Sequence, residues 1–385
     1  MNKIIEELKE HKHIILGFDH YNTLGVLRSL GEVGIEAVVI IHCTCKIVNH
    51  SSYLRKYYNV QDSEEAYKIL FNEYSNERLK PFVYSCDDFV ESCLDMHYEE
   101  IKEIFYFFDG GQKGIVSKYM DKEEISNLAV ECGAKVPKTE KLKRGTLPST
   151  LRYPVITKSL MSIKGGWKDD VFICQNEDEL KEAYTKIKSE DLLVEEFIEK
   201  KNELCLDGFC VNHGKDVCIP YQSTYIRVAP GKYGNYMTLE PFKNETVLKQ
   251  VEAILAKSRF NGIFSVEYLI DKNDELWFLE VNYRNSTWSY AYTVGGVNMP
   301  LQWAIGMLRG SIDRNLFTMR EKPFTAMVEP RDFAFVLKRE VSFFRWFKDL
   351  KECDCLFFYN KHDIKPAIVG WYIPFANKIK KIFKR

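Results

Sequence analysis

Two acidic side chains and an amide lie in a predicted β-hairpin, in a pattern suited to a divalent cation. The hairpin covers residues 265–282. Side chains alternate between the two faces of a strand, so Glu280 and Asn282 share a face, and a turn centred at 273–274 places Glu267 opposite Glu280. Facing carboxylates repel unless a cation lies between them, and this all-oxygen set suits Mg²⁺. We predict a metal site at Glu267, Glu280 and Asn282; the alternative is the solvated face of an edge hairpin.

Two cationic side chains are placed to meet anionic groups. Arg284 follows Asn282 by two residues, and a guanidinium beside a metal–phosphate site can bind a carboxylate through two hydrogen bonds. Lys158 closes a buried strand just before Gly165 and Gly166, which allow the backbone to approach a phosphate closely. The alternatives are an ordinary ion pair for Arg284 and a surface hairpin for the lysine segment.

The elements that must position these groups alternate between strands and helices. Residues 13–41 predict a strand, a helix and a second buried strand, which is a βαβ unit of a parallel sheet. We predict further strands at 81–84 and 104–108 in the same domain. From residue 121 the pattern changes to an α+β type, with the metal hairpin near its end. No phosphate-binding P-loop and no Gly-x-Gly-x-x-Gly nicotinamide motif occurs in the chain.

The amino-acid composition argues against several classes of protein. The 385 residues carry 54 Lys and Arg against 55 Asp and Glu, and this balance argues against a dedicated nucleic-acid binder. Apolar residues make up 45% and include 25 Phe, which excludes bulk disorder. No apolar run approaches the roughly 20 residues that span a bilayer. The 11 cysteines lack metal-finger spacing, so we expect free thiols in a reducing cytoplasm.

In this order, the motifs resemble the ATP-grasp superfamily, in its carbamoyl-phosphate-synthase-like and D-aspartate-ligase-like branch of carboxylate–amine ligases. The resemblance rests on Met-Asp-Lys at 120–122, on the lysine strand 154–158 and on Val-Glu-Glu-Phe-Ile at 194–198. It rests also on Glu-Val-Asn-Tyr-Arg-Asn-Ser at 280–286 and on Gly-Gly-Val-Asn-Met-Pro at 295–300. Similarity extends over roughly residues 13–310.

The resemblance implies an ATP-grasp fold of α/β and α+β type. A doubly wound parallel-sheet domain would occupy 1–115, and the ATP-grasp domain would occupy 116–310. That domain divides into a first lobe at 116–195 and a second lobe with the metal site at 196–310. Residues 311–385 form a small C-terminal region with a basic tail.

It also implies roles for individual residues. ATP is expected as the cofactor, with Mg²⁺ as its ion and Mn²⁺ as the alternative. Lys158 and Arg284 take catalytic roles, and the metal ligands are the three hairpin residues already predicted. The nucleotide-binding set that the resemblance implies consists of Lys122, Lys158, Gly165, Gly166, Glu195, Glu196, Phe197, Ile198 and Glu203.

The implied activity is ATP-dependent amide formation through an acyl phosphate, by a ligase that joins carbon to nitrogen. An amino-acid ligase for cell-wall, capsule or small-peptide synthesis is one such role. Alternatives are phosphoryl or one-carbon transfer to a small acceptor, and a nucleotide-binding module without turnover. We expect Arg284, Arg227, His20 and Asn22 to contact substrates.

The expected partners are small carboxylates and amines rather than nucleic acid. Many members of the superfamily are dimers, which leaves a homodimer open. The segment 374–385 holds five basic residues and no acid, and its apolar residues recur on one helical stripe. This segment could contact an anionic membrane or a lipid-linked substrate; the alternative is a frayed, solvated terminus.

Overall fold

The structure is a computed structural model that describes residues 2–160, 170–228 and 234–372. Within these ranges, no helix combines the length and the apolar character needed to cross a membrane. All 11 cysteines are free. The strands form three sheets, which we describe in chain order.

The first sheet is parallel, with strand order β3-β2-β1-β4. Its strands are β1 (His13–Gly17), β2 (Ala37–His42), β3 (Leu54–Val60) and β4 (Phe82–Ser85). Its helices are α1 (Asn2–Lys9), α2 (Tyr21–Gly31), α3 (Ser63–Tyr74), α4 (Asp88–Met96) and α5 (Tyr98–Ile101). Strand β1 is buried along its whole length, because the sheet is covered on both faces. The predicted βαβ unit is present.

The predicted strand at 104–108 is wrong. This segment contributes only an isolated bridge between Tyr106 and Phe82. It then leaves the sheet, because the backbone of Asp109 exchanges hydrogen bonds of 3.0 and 2.8 Å with that of Asn261. The segment therefore links the first sheet to the largest one.

The second sheet is small and antiparallel, with order β5-β8-β6-β7. Its strands are β5 (Thr139–Lys143), β6 (Val155–Ser159), β7 (Ile173–Cys174) and β8 (Asp191–Glu196). Helices α6 (Ile115–Tyr119) and α7 (Lys122–Glu131) lead into it, and α8 (Glu177–Tyr184) packs against it. Its core is separate from that of the first sheet and includes Val155, Leu180 and Val194.

The third sheet has eight strands in the order β14-β13-β9-β11-β12-β15-β16, and β10 pairs with β9. The strands are β9 (Lys200–Val211), β10 (Asp216–Cys218), β11 (Tyr221–Arg227), β12 (Tyr236–Pro241), β13 (Gly262–Asp271), β14 (Leu276–Asn282), β15 (Phe324–Met327) and β16 (Cys355–Leu356). The helices are α9 (Glu245–Ser258), α10 (Ser289–Val294), α11 (Met299–Arg309), α12 (Glu329–Leu337) and α13 (Phe343–Glu352). Residues 365–372 are also helical. Strands β15 and β16 thus extend this sheet with residues from beyond 310, while the predicted domain boundaries stay a prediction.

A buried ion pair joins α2 to the chain's C-terminal part. Arg28 and Asp363 are almost fully buried, and Arg28 Nε donates to Asp363 Oδ2 at 2.9 Å. The guanidinium also donates to the carbonyls of Phe357 and Phe358, at 2.7 and 2.9 Å. Removing one partner of such a pair leaves a buried charge without a counterion. This contact therefore holds the segment after β16 against the first sheet.

Candidate active site

The hairpin of β13 and β14 places two carboxylates opposite each other. Glu267 pairs with Glu280, as predicted, although the turn differs from the predicted one. The pairs nearest the turn, such as Ile270 with Leu276, centre it on Asn273. An irregularity between Glu267 and Tyr268 then shifts the register by one residue. A β-bulge, rather than the turn, therefore brings the two acids together.

Asn282 connects this acid pair to Arg284. Its Nδ2 donates to Glu267 Oε1 at 3.1 Å, and its Oδ1 accepts from Arg284 Nη2 at 2.8 Å. Arg284 Nε also donates to Asp88 Oδ1 at 2.8 Å. Asp88 lies in the first turn of α4, so Arg284 connects the third sheet to the first. Glu267, Asn282 and Arg284 thus form one hydrogen-bonded group, and Glu280 lies opposite Glu267.

Strand β9 adds two more acids beside the hairpin. Its register pairs Glu203 with Leu269, Cys205 with Glu267 and Asp207 with Ser265. Directly opposed residues share a face, so Glu203 and Asp207 lie on the face that carries Glu267. Glu203 was predicted from sequence, and Lys200 Nζ contacts its Oε1 at 2.7 Å. Asp207 was missed, although the alternation Glu-Leu-Cys-Leu-Asp at 203–207 already places both acids on one face.

These acids are held where their charge is costly. Burial, Glu280 and Glu203 raise the pKa of Glu267 well above its ordinary value, and Arg284 opposes the shift. Glu267 nevertheless retains some accessible surface. Burial raises the pKa of Asp207 to about 6, against the opposing effects of Ser265, Ser286 and Arg284. This arrangement favours either protonation of these carboxylates or binding of a cation between them.

The donor set fits a hard cation. Oε2 of Glu203 is buried without a hydrogen-bond partner among the described residues, and both carboxylate oxygens of Asp207 are buried with the Ser265 and Ser286 hydroxyls near them. Such orphaned oxygens are rare in folded proteins and call for an ion, a water or a ligand. Together with Glu267, Glu280 and Asn282 they offer only oxygen, as Mg²⁺ prefers.

The nucleotide-binding residues predicted from sequence surround the second sheet. Lys158 on β6 forms an ion pair with Glu195 on the neighbouring strand β8. Beyond Glu195, the backbone N–H groups of Glu196 and Phe197 donate to the carbonyls of Lys138 and Pro154, at 2.8 and 3.1 Å. These bonds fix the end of β8, and the half-buried Ile198 follows it.

Lys122 contacts the residue that precedes the predicted phosphate loop in the sequence. It is the first residue of α7, and its N–H donates to the carbonyl of Leu160 at 3.1 Å. Gly165 and Gly166 lie outside the described residues. Leu160, the last described residue before that loop, is therefore hydrogen-bonded to Lys122.

The residues predicted to contact substrates have different surroundings. All the polar side-chain atoms of Asn22 are used within the protein: Nδ2 donates to the carbonyls of Cys86 and Asn285, at 2.8 and 2.9 Å, and Oδ1 accepts from the Asn285 amide. Arg227 binds Asp332 in a bidentate contact and reaches Asp349 at 2.6 Å. A substrate would have to replace these contacts, and both assignments stay predictions.

His20 contacts Arg331, a cationic residue that was not predicted from the sequence. Arg331 on α12 lies 3.0 Å from His20 Nε2, and its guanidinium stacks over the Tyr21 ring at 4.9 Å. The N–H of Asn22 lies 3.2 Å from Nδ1, and a neutral ring accepts from one of these donors at a time. Burial, Arg331 and Arg284 lower the pKa of His20 to about 3, so the ring is neutral.

Arg331 is exposed, and no carboxylate in the described part of the chain pairs with it. Arg331 contacts His20 directly, and the positive charge of Arg284 also lowers the pKa of that ring. No local pattern marks Arg331, because 311 residues separate it from His20. An exposed guanidinium beside a neutral imidazole can bind a carboxylate.

Comparison with known proteins identifies the architecture. Residues 135–301 match the RimK-like ATP-grasp domain. The chain is 22% identical over 258 residues to D-aspartate ligase of Enterococcus faecium, with 61% of each chain covered. The match thus spans about three fifths of that relative's length.

Two solved structures share the fold. The N5-carboxyaminoimidazole synthetase of Staphylococcus aureus superposes with a TM-score of 0.66 at 17% identity, covering 85% of both chains. That protein has also been solved with ADP. The L-amino acid ligase of Bacillus licheniformis gives 0.62 at 14% identity, covering 82% of this chain and 78% of its own. These findings confirm the ATP-grasp fold and the predicted resemblance.

Proposed function

We propose that this chain, which carries an ATP-grasp domain, is an ATP-dependent carboxylate–amine ligase that forms an amide bond through an acyl phosphate. The observation that carries the proposal is the oxygen-lined face of β9, β13 and β14. It faces Glu267 against Glu280 and places Asn282 and Arg284 beside them. A cluster of four acids that one lysine and one arginine offset only in part suits a metal–nucleotide complex better than it suits an empty fold.

The residues assigned to ATP and its ion keep their predicted roles in this proposal. Glu267, Glu280 and Asn282 would hold Mg²⁺, or Mn²⁺, which neutralises charge on the transferring phosphoryl group. Lys158 and Lys122 would contact the phosphates, and residues 195–198 with Glu203 would contact the adenosine. Lys158 can exchange Glu195 for a phosphate oxygen, because the two strands already hold its ammonium group in place.

The carboxylate substrate would bind between the two guanidinium groups. Arg284 and Arg331 offer charge-assisted donors, and the neutral His20 adds no competing charge. One carboxylate oxygen attacks the γ-phosphorus of ATP, and the bond from that phosphorus to the bridging oxygen breaks to release ADP. The amine then attacks the acyl carbon, loses a proton and expels phosphate. Positioning and charge neutralisation account for the protein's contribution to both steps.

The substrate class is the finer part of the proposal. The likeness to a D-aspartate ligase and an L-amino acid ligase supports an amino acid as one partner. The likeness to an N5-carboxyaminoimidazole synthetase supports the second candidate, one-carbon transfer from bicarbonate to an amine. We propose also that the protein is located in the cytoplasm, that it forms a homodimer and that the segment 373–385 contacts a membrane.

ADP release with Mg²⁺ and ATP across a panel of amino acids, amino-acid pairs and bicarbonate tests the proposal. Glu280→Gln supplies the background, and Glu240→Gln is the matched control, since Glu240 is exposed on β12 of the same sheet. Release that requires an acid–amine pair, survives in the control and disappears in Glu280→Gln supports the ligase. Release that requires bicarbonate instead supports the second candidate. Release that persists in Glu280→Gln contradicts the assigned metal site.

A further inference from the structure

Exposed aromatic side chains are concentrated near the chain's C-terminal end. Of the 18 large apolar side chains exposed in the described part of the chain, nine lie within 337–372. Six of them define what we call the aromatic patch: Phe343, Phe344, Phe347, Ile368, Trp371 and Tyr372. Phe344 is 85% exposed and Tyr372 is 68% exposed. Isolated exposed apolar residues are ordinary, but a contiguous group marks an interaction surface.

The phenylalanine rings of α13 lie close together, and a buried tryptophan connects them to Trp371. The ring of Phe343 lies 6.1 Å from that of Phe344 and 6.0 Å from that of Phe347. Trp346, which is buried beneath them, lies 6.4 Å from Phe343 and 6.1 Å from Trp371. Helix α13 and the helical residues 365–372 therefore present one aromatic surface.

Burial within the protein does not account for this helix. Of the residues of α13, only Trp346 and Asp349 are buried, and its three phenylalanines face outward. Asp349 binds Arg227 on β11 at 2.6 Å, and Trp346 donates to Asp332 on α12 at 3.0 Å. Buried polar contacts thus fix the helix in an orientation that leaves its aromatic side exposed.

Positive charge accompanies the patch. Residues 337–385 contain 12 Lys and Arg against five Asp and Glu, a net charge of +7 in a chain whose overall charge is −1. The two most buried of those acids, Asp349 and Asp363, are paired with arginines. Lys351 lies 5.4 Å from the Phe347 ring, so cations border the aromatic side chains themselves. The segment 373–385, with five basic residues, follows directly after Tyr372.

We propose that the aromatic patch and the basic residues around it form a docking face for an anionic lipid bilayer. Aromatic rings favour the boundary between lipid headgroups and acyl chains, while lysine and arginine attract anionic lipid. A second copy of the chain fits less well, because each copy carries an excess of basic residues in this part of its sequence. The inference does not depend on the proposed ligase reaction.

The proposed docking face and the candidate carboxylate site contact the same helix, α12. Helix α12 carries Asp332, which binds Trp346 of α13, and it also carries Arg331, which contacts His20. A bilayer that engages α13 would therefore lie close to the helix that borders the candidate carboxylate site. Such a face would allow the enzyme to act on a substrate attached to lipid.

Flotation of the full-length protein with vesicles tests the proposal. The probes are vesicles of phosphatidylcholine alone and vesicles that also contain phosphatidylglycerol. We expect binding only to the anionic vesicles, falling steeply as salt rises from about 0.05 M to about 0.5 M. The double variant Phe343→Ser/Phe344→Ser should bind at least about tenfold more weakly, because two exposed rings no longer insert. Tyr57→Ser is the control, since Tyr57 is an exposed aromatic residue on β3 of the first sheet, away from the patch.

Four results would overturn the proposal. They are equal binding to neutral and anionic vesicles, no binding to either, unchanged binding by the double variant, and self-association that the double variant abolishes. Tighter binding to a single-stranded oligonucleotide than to the anionic vesicles would assign the face to nucleic acid instead. Because both phenylalanines are exposed, circular dichroism and thermal unfolding of the double variant should match those of the native chain.

Discussion

The ionised carboxylate of Asp207 should lower the free energy of unfolding, by an amount that depends on pH. The side chain is fully buried, and the hydroxyls of Ser265 and Ser286 lie close enough to its carboxylate to offset part of the effect of burial. Burial raises its pKa from 3.8 to about 6. The unfolded chain therefore releases this proton at a lower pH than the folded chain does. Stability consequently falls as pH rises from about 4 to about 6, and the loss remains at higher pH.

The size of the effect follows from the shift. A difference of about two pKa units corresponds to about 3 kcal/mol, since each unit is worth about 1.4 kcal/mol. Asp207→Asn keeps the shape of the side chain and removes the ionisation. At pH 7.5 we expect the variant, free of nucleotide and metal, to be more stable than the native chain by up to about 3 kcal/mol. Near pH 4 the two proteins should be equally stable.

Urea unfolding of both proteins between about pH 4 and about pH 8 measures this difference. Asp274→Asn is the control, because Asp274 is an exposed acid in the hairpin turn. The difference in unfolding free energy between Asp274→Asn and the native chain should not change with pH over the same range. A gain for Asp207→Asn that is the same at both ends of the range, or a loss at pH 7.5, would refute the electrostatic reasoning. A gain confined to the higher pH would identify a residue kept at the expense of stability, as expected for a functional site.

Three further outcomes follow from the contacts. Asp363→Asn should lower the free energy of unfolding by about 3–5 kcal/mol in urea, because the buried Arg28 keeps its charge without a counterion; a loss below about 1 kcal/mol would contradict this. Lys158→Gln should weaken ADP binding at least about tenfold in calorimetry by removing a phosphate contact, and an unchanged dissociation constant would exclude that role. Arg331→Gln should raise KM for the carboxylate substrate at least about tenfold and leave ADP affinity unchanged, while raising the pKa of His20; equal loss of ADP affinity would show that Arg331 acts elsewhere.

Local pattern predicted the parts of the fold whose side chains repeat regularly. The βαβ unit, the hairpin and the pairing of Glu267 with Glu280 all follow from periodicity. The pairing nevertheless arises through a bulge, which depends on contacts along β9 and β14 rather than on the turn. Asp207 was open to the same reasoning, since alternation along β9 places it on the face of Glu203.

Contacts between distant segments were beyond this reasoning. The segment 104–108 has the composition of a strand, but Asp109 pairs with Asn261 and draws the chain away from the first sheet. Arg331 meets His20 only because α12 lies against the first domain. No periodicity in either segment encodes that approach. The exposure of α13 likewise depends on ion pairs made by Asp349.

Trapping of the acyl phosphate tests the central claim most directly. Hydroxylamine intercepts an acyl phosphate as a stable hydroxamate, so the assay requires only ATP, Mg²⁺ and the carboxylate substrate. We expect the native chain to form hydroxamate in the absence of amine, in proportion to the ADP released. We expect Glu280→Gln to form none. ADP release that depends on a carboxylate and an amine but yields no hydroxamate would contradict the proposed reaction.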